Sequence, residues 1–475
     1  MDSKNEIYRR LQESEDVLEK IHLYSILLSQ KIELNIMIEL EKVILESEKL
    51  SWDTLYFLYG QINRIVFMNP ELEQEDTLLY KWKILEKSLM ECKKSITQDL
   101  SPIPWEERNQ NMVIMIVEQF LNPTHGPTKT VLDRSYVVKK ELGKQVLIIN
   151  TAEMMSLQGY VPFEGTSYAS YLPELSESDC CQWKGEEFSY FQCEQDMPNL
   201  PVLEMLLQTV RRLKPGMVIC VGGGSLFAGL VNDMIPVLTV GTTQSGLYAT
   251  MADYQVVNSA LNPMNQAVVG RMDRGKEHVI EGRFTFSLKQ QQEHVTRAEL
   301  GLSESAFLLA LVGGRLNEEM SDEFLQMLDD VVGEEIQAVF IGIEGLACSQ
   351  KYKQLQRYSY CLGFCSDVLS RLELCDLYVN PIRKGGATSA VEALYKKKPI
   401  ITTGFGDVSG VAEDLFVCKD ITEMKEKILR YSRDSEFYAS QSALAEKQAE
   451  KYMDSTHEFT RIIKEYQRRM RKTVE

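Results

Sequence analysis

The sequence has no long apolar run and no excess of positive charge. No segment reaches the roughly 18 to 20 consecutive apolar residues that a membrane-spanning helix needs. The 69 acidic residues outnumber the 52 basic ones, and the formal net charge of −17 argues against a general nucleic-acid binder, which would need a basic face. We therefore expect a globular protein without a nucleic-acid partner.

The sequence also lacks paired cysteine motifs and an apolar leader. Its ten cysteines include neighbours such as Cys180 and Cys181, but none has the CxxC spacing of a zinc site. The first residues, MDSKNEIYRR, do not have the apolar core of a signal peptide. We expect a cytoplasmic location and reduced thiols. The basic run at 468–472 is a candidate for peripheral membrane contact, or a solvated helix end.

The chain changes character near residue 100. Before this point Leu, Ile, Glu and Lys recur with helical spacing, which fits three to five helices with breaks near Gln30, Ser51 and Pro70. The pattern predicts four segments. They are an all-helical module (1–100), a first Rossmann-like domain (108–285), a second Rossmann-like domain (293–450) and a C-terminal helix (451–475).

Strands and helices alternate from about residue 111 onwards. MVIMIVEQFL and QVLIINTAE are predicted strands on either side of the helix VLDRSYVVKKELGK, and the alternation restarts with FLLALVGGRL, QAVFIG, SYCLGF, DLYVN and PIITT. Such βαβ units predict parallel sheets that bind ligands at the carboxyl ends of their strands. The predicted fold class is α/β, with two facing doubly wound domains after the helical module and a cleft between them.

The stretch 379–399, VNPIRKGGATSAVEALYKKKP, carries the strongest chemical signal. A short strand ends in a loop with Arg383 and Lys384, two glycines follow, and a helix opens at Thr388. Cations, accessible backbone N–H groups and a helix N-terminus at one point favour an anion such as a diphosphate. Glu392, about one turn into the helix, can reach sugar hydroxyls. The alternative is an ordinary glycine turn with solvated cations.

The first α/β domain has its own candidates. His125 lies on the first crossover loop and is a candidate general base because its pKa lies near working pH, with a donor contact or a structural role as alternatives. The run 222–225 predicts a tight turn that lines the cleft or serves packing alone. The candidate cleft-lining residues are Gly126, Thr128, Lys129, Gly223, Ser225 and, after a later strand, Asp407.

Residues 111–465 resemble the GT-B class of nucleotide-sugar glycosyltransferases, in particular bacterial enzymes of the family 1 and family 4 type. The resemblance rests on VGGRLNEE, LGFCSDVLSRLELCDLYVNP and the GGATSAVEAL helix with its PIITT strand. It implies a GT-B-like fold in which the second Rossmann-like domain binds the nucleotide-sugar donor and the first binds the acceptor. The helical module would then serve docking, oligomerisation or acceptor binding.

The resemblance also implies roles for single residues. Arg315 of the GRL turn would contact the diphosphate, Glu392 would hold the ribose, and the base would lie near 362–365. Met320 and Lys384 depart from the family, which usually has a lysine and a first glutamate there, so Arg383 or Lys384 would supply the second cation. The catalytic candidates are His125, Arg315 and Lys384. The donor-binding candidates are Gly314, Arg315, Leu362, Gly363, Phe364, Arg383, Lys384, Gly385, Gly386, Ala387, Thr388, Ser389 and Glu392.

The activity that the resemblance implies is transfer of a hexose or N-acetylhexosamine from a nucleotide diphosphate, UDP first, to a hydroxyl of a glycan, lipid-linked glycan or protein. Fixed cations and a helix N-terminus can stabilise the leaving diphosphate, and no DxD-like pair ends a strand, so we expect no cofactor and no essential metal. Two alternatives remain open: a nucleotide-sugar epimerase, and an inactive partner subunit that binds acceptor. A homo-oligomer or protein partner through the helical module is a further hypothesis.

Overall fold

A computed structural model describes residues 4–69, 72–123, 125–154, 170–194, 197–242, 247–257, 263–271, 276–288, 290–347 and 351–472. The chain divides into two compact units. The first comprises Met1–Thr242, Gly246–Gly282 and Thr456–Glu475, and the second comprises Thr243–Ser245 and Arg283–Ser455. In the described part of the chain, no helix is both long enough and apolar enough to cross a membrane. The predicted boundaries of the four segments stay a prediction.

Five helices form the start of the first unit, within the predicted three to five. They are α1 (Lys4–Glu13), α2 (Val17–Gln30), α3 (Leu34–Glu46), α4 (Trp52–Met68) and α5 (Glu75–Lys93). The predicted breaks at Gln30 and Ser51 coincide with the end of α2 and the residue before α4. Ile36 and Leu40 belong to a core that also includes Phe227 of the following α/β part, so the helices pack directly on that part.

Glu41 is a buried carboxyl group inside this helical part. It is 0% exposed, and neither carboxylate oxygen has a hydrogen-bond partner among the residues described. Burial raises the pKa of Glu41 to about 9, against an opposing attraction from Lys81. The folded protein therefore keeps a proton that the unfolded chain releases above pH 4.5. Stability should fall as pH rises from 4.5 to about 9, by at most about 1.4 kcal/mol per pH unit.

We expect the Glu41→Gln variant to lose this pH dependence, because a glutamine of similar shape stays neutral at every pH. It should match the wild type near pH 5 and exceed it in unfolding free energy at pH 8. Urea unfolding at several pH values measures the difference. Glu46→Gln, on the exposed side of α3, is the matched control and should behave as wild type. The same loss of stability with pH in Glu41→Gln and wild type would contradict the prediction.

An eight-stranded sheet forms the centre of the first unit. The strands are β1 (Asn109–Val117), β2 (Gln145–Asn150), β3 (Cys180–Trp183), β4 (Glu186–Gln192), β5 (Pro215–Val221), β6 (Val237–Val240), β7 (Tyr254–Val257) and β8 (Val279–Glu281). Their order in the sheet is β3-β4-β2-β1-β5-β6-β7-β8, and every neighbouring pair is parallel except β3 with β4. The apolar run MVIMIV forms β1 in the middle of the sheet, because a parallel strand is covered on both faces. The connecting helices are α6 (Gly126–Lys140), α7 (Leu200–Leu213), α8 (Leu226–Asn232) and α9 (Pro263–Arg271).

The second unit is built on a six-stranded, fully parallel sheet. Its strands are β9 (Phe307–Val312), β10 (Ile336–Ile341), β11 (Ser359–Cys361), β12 (Leu377–Val379), β13 (Ile400–Thr403) and β14 (Val417–Cys418), in the order β11-β10-β9-β12-β13-β14. The helices are α10 (Leu316–Glu319), α11 (Asp322–Val331), α12 (Lys353–Arg357), α13 (Val368–Leu374), α14 (Ala387–Tyr395), α15 (Gly406–Phe416), α16 (Ile421–Arg433) and α17 (Ser435–Met453). All five strands predicted for this part of the sequence are present.

The last helix, α18 (Ser455–Lys472), belongs to the first unit although it follows the second in sequence. Its residues Phe459, Ile463 and Tyr466 are buried in the core on one face of the eight-stranded sheet. The end of this helix is packed as well, because Met470 is 1% exposed and Arg469 pairs with Glu465 at 2.7 Å. The predicted architecture, an all-helical start and two Rossmann-like parallel-sheet domains, is confirmed.

Candidate functional site

The strand ends of the second unit bring the predicted glycine turns together at one edge of the sheet. The N–H of Gly313 donates to the carbonyl of Ile341 at 2.9 Å, and the N–H of Gly342 donates to the carbonyl of Gly363 at 2.8 Å. The GRL turn after β9 and the LGF turn after β11 are therefore joined through the turn after β10. This is the edge at which parallel α/β sheets bind ligands.

Arg383 lies beneath this edge, in the loop after β12. Its guanidinium is 5% exposed and donates to the carbonyl of Val312 at 2.7 Å, to the Tyr378 hydroxyl at 3.2 Å and to Asn380 Oδ1 at 2.8 Å. It also pairs with Glu319 at 3.0 Å. These contacts engage all three guanidinium nitrogens, so Arg383 links the ends of neighbouring strands from inside the domain. Arg383 and Lys384 are the two candidates for the second cation of the diphosphate site. The contacts of Arg383 favour Lys384 for this role.

Glu319 is shared by two arginines. Its Oε2 pairs with buried Arg383, and its Oε1 pairs with Arg315 at 3.0 Å. Arg315 directly precedes α10, and its side chain is 51% exposed. Its partner Glu319 is held in place by the buried Arg383. Met320, at the position where the family usually has a lysine, is buried in the core below. Because Glu319 is held by Arg383, it fixes the orientation of Arg315.

The helix α14 begins at the same edge. Gly386 precedes it with a φ of 109°, a left-handed conformation that favours glycine. Ser389 is buried, and its Oγ donates to the Gly386 carbonyl at 3.0 Å. Thr388 is the exposed residue of the first turn. The first N–H groups of a helix have no partner within it, and they carry partial positive charge. Glu392 lies half-buried one turn further along.

Lys384 and Asp407 connect the loops after β12 and β13. The N–H of Asp407 donates to the Lys384 carbonyl at 2.7 Å, and the backbone of Gly406 packs against the same loop. The Lys384 side chain is half-buried, whereas Asp407 is 4% exposed. Lys384 is thus held near the start of α14 by its backbone. The buried position of Asp407 favours support of this loop, and its predicted place in the lining of a cleft stays a prediction.

Phe364 presents an aromatic ring to solvent at the LGF turn. It is 80% exposed, the highest value among the large apolar side chains described. Leu362 is half-buried beside it, and the Glu344 carboxylate lies against Gly363. An exposed ring next to an edge lined by Arg315 can stack on a nucleobase.

In the first unit, His125 precedes α6 and lies against Thr128. The His125 Nδ1 to Thr128 Oγ1 distance is 3.2 Å, and Thr128 accepts the N–H of Leu121 at 2.8 Å. Burial lowers the pKa of His125, so the neutral, proton-accepting form prevails at neutral pH. Lys129 lies 3.6 Å from Asp133 on the next turn, and exposed Gly126 opens the helix. Thr128 itself is fully buried and positions the loop.

The Gly222–Ser225 turn after β5 is held by a carboxylate that sequence reasoning missed. Ser225 Oγ donates to Glu153 Oε2 at 2.6 Å, and the N–H of Phe227 donates to Glu153 Oε1 at 3.1 Å. Gly223 is packed so closely that an added Cβ would lie 2.6 Å from the Cβ of Tyr248. These contacts favour the packing role for Gly223 and Ser225, and their predicted place in a cleft lining stays untested.

Glu118, directly after β1, is a second missed carboxyl at the same sheet edge. Burial raises the pKa of both Glu118 and Glu153, and the proximity of Glu153 raises that of Glu118 further. The available signal was an acidic residue at the end of each of two apolar strands, in MVIMIVE and VLIINTAE. Two carboxyls at neighbouring strand ends of a parallel sheet must lie close together.

Comparison with known proteins agrees with this geometry. Residues 308–434 match the family model described as "Glycosyl transferases group 1", and this range contains Arg315, Lys384 and Glu392. An O-GlcNAc transferase mutant from Thermobaculum terrenum superposes with a TM-score of 0.54 at 13% identity, over 100% of this chain and 99% of that one. The chain has the GT-B fold. The predicted resemblance to GT-B glycosyltransferases is thereby confirmed.

Two further GT-B relatives lack a counterpart for about a quarter of the chain. HepE from Anabaena, solved in complex with UDP, matches with a TM-score of 0.51 at 14% identity over 74% of this chain and 98% of its own. The sucrose-phosphate synthase of Thermosynechococcus elongatus matches with a TM-score of 0.53 at 12% identity over 76% and 99%. No curated protein sequence matches the chain significantly. At these identities the superpositions establish the fold alone, while the family match supports sugar transfer.

Proposed function

We propose that this protein transfers a sugar from a nucleotide-diphosphate donor, UDP-sugar first, to the hydroxyl of a glycan, lipid-linked glycan or protein. The observation that carries the proposal is the convergence of the Arg315 turn, Lys384 and the start of α14 at the strand ends of the second unit. A hexose or N-acetylhexosamine is the proposed sugar. UDP is favoured because HepE, a protein of the same fold, is solved with UDP.

Electrostatics provides the chemical reason. Departure of a nucleotide diphosphate leaves negative charge on its phosphates, and fixed positive groups lower the energy of that transition state. Arg315 is held in orientation by Glu319, and the N–H groups of α14 form a second positive pole. Lys384 would supply the second cation. We propose that the backbone of 385–389, which includes Ala387, binds phosphate, with Gly314 beside it.

The remaining parts of the nucleotide find matching groups at the same edge. Glu392 would accept hydrogen bonds from the ribose hydroxyls, since it lies one turn below the phosphate-binding start of α14. Phe364 would stack on the base, with Leu362 and Gly363 forming the rest of that turn. This arrangement needs no metal, and we expect sugar transfer to persist in EDTA.

We propose His125 as the base that accepts the proton of the acceptor hydroxyl. A neutral imidazole is competent for this role, and its lowered pKa extends activity toward lower pH. The acid limb of the kcat/KM profile should therefore have its midpoint below 6.5, and it should vanish in His125→Gln. His294→Gln, an exposed histidine of the second unit, is the control and should keep the limb. An unchanged acid limb in His125→Gln would exclude this role.

One reaction mixture distinguishes the proposal from its two alternatives. The protein is incubated with UDP-glucose or UDP-N-acetylglucosamine and neutral glycoside acceptors, and both released UDP and the donor sugar are analysed. UDP release with formation of a new glycoside supports the transferase. Interconversion of the donor sugar without UDP release would indicate the epimerase. Absence of UDP release and of interconversion, together with absence of UDP-sugar binding, would indicate the inactive partner subunit that binds acceptor.

A further inference from the structure

Three chain segments meet around the Gly222–Gly224 turn in the first unit. Glu118 follows β1, the turn follows β5, and Tyr59 comes from α4 of the helical part. An added Cβ on Gly222 would lie 3.3 Å from Glu118 Oε2, and one on Gly224 would collide with the Tyr59 hydroxyl. The carboxyl of Glu118 and the phenol of Tyr59 thus pack against the same short turn, at glycines that are two residues apart.

These two polar groups differ from their neighbours in having no hydrogen-bond partner among the residues described. Next to them, the Tyr56 hydroxyl donates to the Glu153 carbonyl at 3.3 Å, and the Glu153 carboxylate binds Ser225 and the N–H of Phe227. Glu118 is 7% exposed and Tyr59 is 4% exposed. Polar groups in the interior are normally hydrogen-bonded, so two that pack against the same glycine turn without a protein partner point to a ligand.

The surroundings indicate the chemistry of that ligand. Burial raises the pKa of both Glu118 and Tyr59, which keeps their protons in place and leaves each able to donate and to accept a hydrogen bond. The groups that act on them electrostatically are the carboxyls of Glu118 and Glu153 and the thiol of Cys220, none of which attracts an anion. Two neutral hydroxyl-type groups suit the hydroxyls of an uncharged sugar.

We propose that Glu118 and Tyr59, on either side of the Gly222–Gly224 turn, bind hydroxyl groups of a neutral sugar of the acceptor. This inference rests on the proposed function. It gives the helical part a direct place in acceptor recognition, through α4, because Tyr59 reaches the strand ends of the α/β domain. Of the three roles considered for that part, this inference favours acceptor binding.

The test uses methyl glucoside and methyl N-acetylglucosaminide as neutral probes and glucuronate as the anionic one, with the full-length protein. NMR titration should detect saturable binding of at least one neutral glycoside and weaker binding of glucuronate. Tyr59→Phe and Glu118→Ala should each weaken the glycoside by roughly 2- to 12-fold, the value of one hydrogen bond, and Glu118→Gln should restore part of the loss. Tyr56→Phe is the matched control on α4 and should bind as wild type.

UDP binding on the same samples separates this inference from the donor site. Unchanged UDP binding with no glycoside binding, or with equal glycoside affinity in wild type, Tyr59→Phe and Glu118→Ala, would overturn the inference and leave the donor site standing. Loss of UDP binding with retained, Tyr59-dependent glycoside binding would overturn the donor site alone. If Glu118→Ala does not fold, Tyr59→Phe decides, because it removes one oxygen without opening a large cavity.

Discussion

Replacing Arg383 with methionine is expected to lower the unfolding free energy of the second unit by about 3–5 kcal/mol. The substitution leaves Asn380 Oδ1, the Val312 carbonyl and the Tyr378 hydroxyl without the donor that now binds them. Each is buried, so water cannot replace the lost hydrogen bonds easily. Calorimetry, or urea unfolding followed by a probe in the second unit, measures the loss.

Arg433→Met is the matched control for Arg383→Met. Arg433 is exposed at the end of α16, so its replacement should cost no more than about 1 kcal/mol, the value of a cation at a helix C-terminus. Equal stability of the Arg383→Met and Arg433→Met variants would show that the buried contacts of Arg383 do not support the strand ends. It would also reopen Arg383 as a direct ligand of the diphosphate.

Replacing Arg315 with alanine is expected to reduce sugar transfer by roughly 100- to 1,000-fold while leaving the fold intact. The side chain stands at the surface, so its removal opens no cavity, and the group removed is one that Glu319 holds in place. The loss should fall on kcat more than on KM, because the negative charge on the diphosphate increases between the bound donor and the transition state. Steady-state kinetics with the UDP-sugar that supports transfer measures both constants.

The Glu319→Gln variant supplies a second, independent check on Arg315. Its amide keeps the size of the side chain but loses the charge that binds Arg315 and Arg383, so both kcat and stability should fall. Arg433→Met serves again as the control, with wild-type activity. Full activity in Arg315→Ala would contradict a role for this arginine in stabilising the leaving group.

The sequence predicted the fold well because its signals are local. Long apolar runs such as MVIMIV and FLLALV mark strands covered on both faces, and the GGATSAVEAL stretch marks a loop and a helix N-terminus. The meeting of the glycine turns at one edge of the second sheet followed, since parallel strands bring their carboxyl ends to one side. Phosphate binding at this edge stays a proposal. The return of α18 to the first unit could not be predicted from the sequence. It depends on the packing of Phe459 and Tyr466 against the eight-stranded sheet, which is far from them in sequence.

Side-chain partners were harder to predict than positions. Arg383 and Lys384 are adjacent in sequence and equal in charge, yet Arg383 extends beneath the strand ends and meets Glu319, 64 residues earlier in the chain. Such a long-range pair has no signature in a local motif. Glu118 and Tyr59 escaped attention for the same reason, since their proximity arises only when α4 packs onto the strand ends.

The most direct test of the central claim is nucleotide binding to the full-length protein. UDP, GDP, ADP, CDP and TDP are titrated into wild type, Arg315→Ala, Lys384→Ala and Glu392→Ala, and binding is measured by calorimetry and by thermal unfolding. The account predicts saturable binding of one nucleotide, UDP first, with a stabilisation of about 2.7 kcal/mol at 100 times the dissociation constant. All three substitutions should weaken it. Binding of none of the five nucleotides by wild type would contradict the donor site.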